Sequence, residues 1–577
     1  MAAEEKDVME MQVVGHEVPR VDGLAKVKGS AVYGDDIVLK DMLYGVCRYA
    51  DIAAGRVEAI DLDAALQVPG VVKIATWRDV PGESHIGVVM ADYPPLVNEN
   101  IAFRGDVIAV IAAESYEAAC QAAHKISVRY TPFEPITRVE DALKPDARLI
   151  HPGSASNVIN HHHTIKGDID AGFAASSHIF ERDYEVGYQE HAYIEPESII
   201  AWIDDNEQIM TLSGSVQNAH RVRGFVAKYL GLPQARVNIK RAIVGGSFGG
   251  KDDIIDHLAC RAALLCHLTG RPVKFTYNRE QSMRESYKRH PYKMKYKIGL
   301  DDEARIQAIK IEVLADGGSY AGQTPFVTWR SSVQAAGPYR IPNVRVDVTG
   351  VYTNNNYTSA FRGFGAPQVI LANESLMDEV AAVLGLSPLE LRQRNILQQG
   401  DTSMAAQVFS EHRVSAEEVL EKAANSVEFM AKRERYQQLN AQGGPIKYGI
   451  GLALSHRGCS LGAEGLDASS ALIQVNADGS VNISTAVSEN GQGLQTTMSM
   501  IAAEAFGLPL SWITFTDPAT AMIADGGSTV ASRGTLMGGA SGAQCRQQDQ
   551  TAYGGCHRHA TGGKRCGLPD VARRQGV

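Results

Sequence analysis

Two glycine-rich turns carry the residue types most able to do chemistry. The first is Val244-Gly245-Gly246-Ser247-Phe248-Gly249-Gly250-Lys251-Asp252-Asp253, and the second is Ser359-Ala360-Phe361-Arg362-Gly363-Phe364-Gly365-Ala366-Pro367-Gln368. Glycines allow φ > 0 and close approach of a ligand to the main chain, and a helix start adds about half a positive charge. The first turn is therefore a candidate anion cradle. Its spacing nearly spells G-x-x-x-x-G-K-[ST], the loop of nucleotide hydrolases, but Asp252 stands where a hydroxyl should hold Mg²⁺. Phe248 suits a wall against a flat ligand better than a phosphate cradle. With Phe364, it suggests two walls of one pocket on either side of a planar ligand.

Further polar groups lie at comparable junctions. Ser488-Glu489-Asn490-Gly491-Gln492-Gly493 offers backbone N–H groups and an amide at a helix start, and Gly526 to Thr535 offers hydroxyls, including Ser528 and Ser532, with Arg533 as a cation for a phosphate. Gln189, Glu190 and His191 fall within a strand-rich stretch, and read either as exposed strand-end residues or as donors facing a bound cofactor. His151, His161, His162 and His163 could suggest a metal. Adjacent histidines point different ways in an extended chain, however, and a surface or edge strand is the expectation.

The elements that must position these groups follow from periodicity. Arg236 to Ile243 alternates as a strand and Ile254 to Leu268 has helical apolar spacing, so the first turn lies at a strand-to-helix junction. Val344 to Tyr352 and Val369 to Leu384 flank the second turn in the same way. Ala471 to Asp478 with Ser480 to Ala486 reads as a hairpin before the helix Gln495 to Phe506. Upstream, strands at Val71 to Thr76, Val107 to Ala112 and Ile126 to Tyr130 alternate with helical stretches and form an α/β scaffold with no convergent chemistry.

With 577 residues, 44% hydrophobic and 21% charged, the chain has the composition of a multidomain globular protein. A formal charge of -10 gives no footprint for nucleic acid. No apolar run is long enough to span a bilayer, and the acidic N-terminus has no secretory h-region, so a cytoplasmic protein is expected. Cys47, Cys120, Cys260, Cys266 and Cys459 are scattered without CxxC spacing and read as core residues, leaving iron–sulfur clusters no evident home in this chain.

Taken in order, G-x-A-x-Y-x-D-D at Gly29 to Asp36, GGSFGGK, AFRGFGAPQ and ENGQG are together highly specific, and the chain resembles the molybdenum-binding subunit of the xanthine dehydrogenase and aldehyde oxidase family from about Arg20 to Ala543. The resemblance implies a mixed α/β (α+β) fold. Residues 1–19 are a polar leader, 20–135 an α/β hammerhead domain, 150–400 a first molybdopterin-binding domain, and 415–543 a second, incomplete one. It implies a molybdenum-molybdopterin cofactor, often the cytosine dinucleotide form in bacteria, with Fe-S and FAD carried by an iron-sulfur subunit and a FAD subunit. The implied reaction is hydroxylation of an electron-poor carbon with water-derived oxygen.

By position, the resemblance gives Gln189 as the donor to a molybdenum oxo ligand, Phe248 and Gly249 as the turn packed against the metal, and Arg362 nearby. Gly246, Gln492, Gly493 and Ser532 match cofactor-contacting segments. Phe364 resembles a ring stacked on substrate, with Ala360 in the same turn. Asp252 and Arg330 match a carboxylate and a guanidinium that hold the substrate, and charges on opposite sides suit a purine-like or other N-heterocyclic substrate better than an aldehyde. An aldehyde oxidase-type or aromatic hydroxylase/reductase subunit of the same family, and a non-catalytic cofactor-binding or assembly protein, are the alternatives.

The family's general base lies in a Gly-x-Gly-Glu-type motif near its C-terminus, and nothing after Arg533 matches it. Residues 544–577, with Cys545, Cys556 and Cys566 and no Ile, Phe or Met, have no amphipathic period. They read as an aberrant, disordered tail following a frame change after about Ala543, and not as a zinc site. The catalytic glutamate is thus expected to be missing and the chain as it stands inactive.

Overall fold

A computed structural model describes residues 11–204, 208–411, 413–461, 465, 467–517 and 519–541. The expected tail, 544–577, lies outside the described residues, as do the first ten residues of the expected leader.

The chain forms the expected mixed α+β fold around two large sheets. The seven-stranded sheet runs in the order Val237–Arg241, Ile209–Gly214, Ser198–Asp204, Val273–Thr276, Leu43–Tyr49, Val107–Ala113 and Val71–Thr76. It crosses the boundary expected near residue 135, because Leu43–Tyr49 pairs in parallel with Val273–Thr276. Val107–Ala113 is buried at every position, as an unbroken apolar run requires when both faces of a sheet are covered. One cover is the Ile254–Thr269 helix, whose residues from Ile254 through Cys266 are all buried and whose end is set by Gly270 at φ +67.

The five-stranded sheet runs Val158–Lys166, Asn343–Tyr352, Ile306–Gly318, Tyr292–Leu300 and His178–Val186. The three histidines lie on its edge strand: His161 bonds the Thr349 hydroxyl at 2.9 Å, while His162 meets the Pro325 carbonyl at 2.8 Å. The helices Thr324–Gln334 and Ala366–Val383 cover one face. Buried Tyr296 ties the sheet to that layer, its hydroxyl donating to Ala335 O and Val369 O at 3.1 Å each. Pro367 and Gly365 (φ +85) start the second helix directly from the second glycine turn.

A smaller sheet, Ala471–Val475, Val481–Thr485 and Ile513–Phe515, packs on the Leu494–Phe506 helix through Val481, Ile483, Leu494 and Met498. The leader is held against this unit. The N–H groups of Gln12, Val13 and Val14 donate to the Glu504 carboxylate, and Arg20 donates to Gly491 O at 2.9 Å.

Candidate functional site

The first glycine turn is a cradle that the protein fills with its own carboxylate. Glu195 accepts from Gly245 N at 2.6 Å and Gly34 N at 3.3 Å, and pairs with Lys251 Nζ at 2.6 Å. Lys251 is fully buried over the Tyr193 ring, and burial lowers its pKa despite the ion pair. No phosphate can use these amides or this ammonium, which removes the physical basis of a nucleotide-hydrolase reading.

Three aspartates occupy the helix start beyond it. Arg221 meets Asp252 Oδ1 and Asp256 Oδ2 at 3.0 Å and Asp253 Oδ1 at 3.3 Å, all buried. Gln323 Nε2 bridges Asp252 Oδ2 at 2.9 Å and Asp253 Oδ1 at 2.7 Å. One guanidinium faces three carboxylates, and burial pushes the Asp253 and Asp256 carboxyls upward against its attraction.

The two Phe-Gly turns meet edge to edge. Arg362 N donates to Phe248 O at 2.9 Å, and a Cβ on Gly249 would lie 2.9 Å from Ala360 O. Phe248 (φ +54) and Phe364 (φ +49) both adopt the left-handed conformation that bulky residues avoid, so each turn holds its ring out by the same backbone device. Behind the seam, His191 stacks on Phe361 with centroids 4.1 Å apart and bonds Ala360 O at 2.9 Å. Burial lowers its pKa to about 3, so the ring is neutral.

A cavity of about 1370 Å³ opens over this seam, lined by Gly246, Phe248, Gly249, Asp252, Arg330, Ala360, Arg362, Phe364, Gln492 and Ser532 among the expected residues. Gln217 and Gln323, which sequence reading passed over, also line it. Gln217 Oε1 accepts from the Ser247 hydroxyl, which fixes the amide and turns its NH₂ outward without a protein acceptor among the described residues. Its local signal was faint: Ser215-Val216-Gln217-Asn218 is another strand-to-helix junction, with Asn218 Oδ1 capping the Ala219–Leu230 helix by accepting from Arg221 N at 3.2 Å. The Arg362 guanidinium likewise has no partner among the described residues, and Asn490 Oδ1 on the cavity wall is buried without a donor.

Several expectations are corrected. Gln189 is exposed and off the cavity wall; its Oε1 accepts from Arg289 Nε at 2.6 Å, because Arg289 lies over Phe361 and screens it from the seam. Gln492 lines the cavity, but its amide is spent within its own loop on Asn490 N and Ser488 O. Gly493 is off the wall, and its N–H, with those of Gly491 and Gln495, donates to buried Glu489. That carboxylate fills the third turn as Glu195 fills the first.

Arg533 is fully buried, held by Asp467 at 3.0 Å and by the Gly526 and Ser528 carbonyls, and is no phosphate ligand. Asp252 and Arg330 do not present free charges. The first is shared by Arg221 and Gln323, and the second donates to Ser460 O at 2.5 Å and Leu461 O at 3.1 Å. Cys459 is exposed, unlike the core residue expected.

Against known protein families, residues 150–396 and 422–550 each match a molybdopterin cofactor-binding domain, and residues 28–134 match the a/b hammerhead domain of aldehyde oxidase and xanthine dehydrogenase. A protein of Bacillus subtilis described as a probable xanthine dehydrogenase subunit is 33% identical over 90% of this chain and 68% of its own length. The nicotinate dehydrogenase large molybdopterin subunit of Eubacterium barkeri is 38% identical over 71% of this chain and 96% of its own. Among solved structures, the aldehyde oxidoreductase of Desulfovibrio gigas superposes with a TM-score of 0.85 at 28% identity, covering 93% of this chain; this chain spans 61% of it.

Proposed function

The chain belongs to the xanthine dehydrogenase and aldehyde oxidase family of molybdopterin-binding oxidoreductases, and on that premise we propose that it is the large subunit of a molybdenum hydroxylase acting on an N-heterocycle of purine type. The observation that carries this reading is the cavity at the seam of the two Phe-Gly turns, with donors left unpartnered toward it. Its volume of about 1370 Å³ exceeds the roughly 300–1,000 Å³ of ordinary ligand clefts, leaving room for a cofactor beside a substrate.

The donor set fits molybdopterin. Gln217 NH₂, in place of Gln189, would donate to an oxygen of the bound group, the Arg362 guanidinium would offset its anionic charge, and Asn490 Oδ1 would accept an N–H from it. Gly246 and Gly249 lie on the wall, Gly249 without a side chain so that the second turn can abut it, and Ser532, also left-handed at φ +58, would offer its hydroxyl. When bound, molybdenum-molybdopterin supplies the oxidant that takes two electrons from a substrate C–H as water-derived oxygen is inserted. The protein's part is to orient and to exclude water: Phe248 and Phe364 hold a planar ring between them, with Ala360 at the seam.

The acids lining the cavity among the described residues are Asp252 and Asp525, with no glutamate to take a proton there. The isolated 577-residue chain is therefore expected to bind cofactor yet turn over purines little or not at all, and robust turnover by it alone would sink that part of the proposal. Relatives that are themselves named as subunits support iron-sulfur and FAD partner subunits as electron acceptors. No helix among the described residues is long and apolar enough to cross a membrane, in keeping with a cytoplasmic enzyme. The assignment is tested by calorimetric titration of the cofactor-loaded chain with purines: saturable binding is expected, and no binding of any N-heterocycle refutes the assignment.

A further inference from the structure

We infer that the Gln323 carbonyl, and not the Asp252 carboxylate, is the group that reads the substrate at this end of the cavity, and that it selects heterocycles presenting a ring N–H. The inference rests on the hydroxylase reading above and names the substrate class of the same site.

The Gln323 amide can sit only one way. Its two N–H bonds point at Asp252 Oδ2 (2.9 Å) and Asp253 Oδ1 (2.7 Å), and the reverse orientation would set a carbonyl oxygen against two carboxylates. Oε1 is thereby turned away from the aspartates, and no donor among the described residues meets it. Gln323 lines the cavity. Its backbone is fixed as well: its N–H donates to the Ser359 hydroxyl at 3.0 Å, and its carbonyl accepts from Phe326 N and Val327 N at the start of the helix that carries Arg330. A rigid neutral acceptor results, in front of carboxylates already satisfied by Arg221 and by Gln323 itself.

An acceptor of this kind demands a donor. A lactam or azole N–H supplies one, whereas an aldehyde brings only another acceptor and leaves Oε1 unpaired. Sites built around one buried hydrogen bond discriminate against analogues that lack it.

The test is equilibrium binding by calorimetry to the cofactor-loaded protein, using hypoxanthine and its mono-N-methyl derivatives, with wild type and Gln323→Leu compared at equal cofactor content and thermal midpoint. In wild type, methylating the nitrogen that faces Gln323 should weaken binding roughly tenfold or more. In Gln323→Leu the parent compound should weaken by a similar factor and the selectivity between parent and that derivative should vanish. A structural role alone would weaken every compound alike and keep the selectivity, which overturns the inference. If wild type binds none of the series, the purine reading fails and this assignment falls with it.

Discussion

Substituting Gly249 by alanine probes the seam on which the cavity depends. Gly249 has φ +95, a conformation that costs an L-residue about 1–2 kcal/mol. The new Cβ would lie 2.9 Å from Ala360 O and 3.1 Å from Ala360 C, backbone atoms that cannot swing aside, and such overpacking costs about 1–3 kcal/mol. Together these give about 2–5 kcal/mol of destabilisation. Gly270→Ala is the control: φ is +67, no atom lies within 4 Å of its Cβ, and only the backbone cost of about 1–2 kcal/mol remains. Guanidinium chloride unfolding of both variants gives the comparison, and cofactor retention gives a second readout that the control should leave untouched. A Gly249→Ala protein no less stable than Gly270→Ala, with full cofactor content, would refute the abutting turns.

Other perturbations separate the charges that hold the site. Arg261 and Glu285 form a fully buried pair at 2.6 Å, with Arg261 Nε also donating to Pro95 O; Glu285→Gln should cost about 3–5 kcal/mol in chemical unfolding, because a buried guanidinium loses its counter-charge. Glu195→Gln leaves Lys251 unpaired and should destabilise in the same sense without conferring ATP binding, as read by thermal shift with and without Mg²⁺-ATP. Acid should weaken the fold through His191 and His290, whose pKa burial lowers from 6.5 to about 3. The unfolded chain binds their protons first, so stability is intact above 6.5 and is lost as pH falls toward 3, by about 2 kcal/mol for each histidine at pH 5. His290→Gln should lose less stability than wild type between pH 7.5 and 5.0. Asp253 and Asp256, raised by burial, contribute the opposite slope above pH 3.8, and Asp256→Asn should reduce the stability lost as pH rises.

The walls of the site were legible and its charges were not. Strand-to-helix junctions and paired Phe-Gly turns are local patterns, and periodicity placed them within a few residues of their observed positions. Whether a polar group is free depends on partners far along the chain. Glu195 reaches Gly245 across fifty residues, and Gln323 reaches Asp252 across seventy-one, so no local reading could tell a filled cradle from an open one. Gln189 drew attention because a polar run inside an alternating strand stands out. Gln217 did not, being one amide at the end of an apolar strand, and only the Ser247 bond reveals which way it faces. The shared seven-stranded sheet was hidden for the same reason, since Leu43↔Val273 pairing joins segments that look self-contained in sequence.

The most direct test of the account is the molybdenum and pterin content of the purified chain from a host that makes the cofactor, beside a Gln217→Ala, Arg362→Ala double variant. Metal by mass spectrometry and pterin by fluorescence after oxidation should be equimolar with each other and with wild-type chain, with cytidine monophosphate released on hydrolysis if the dinucleotide is bound, and both should fall together in the variant. A folded wild-type chain carrying neither, or a double variant as fully loaded as wild type, would contradict the assignment of this cavity.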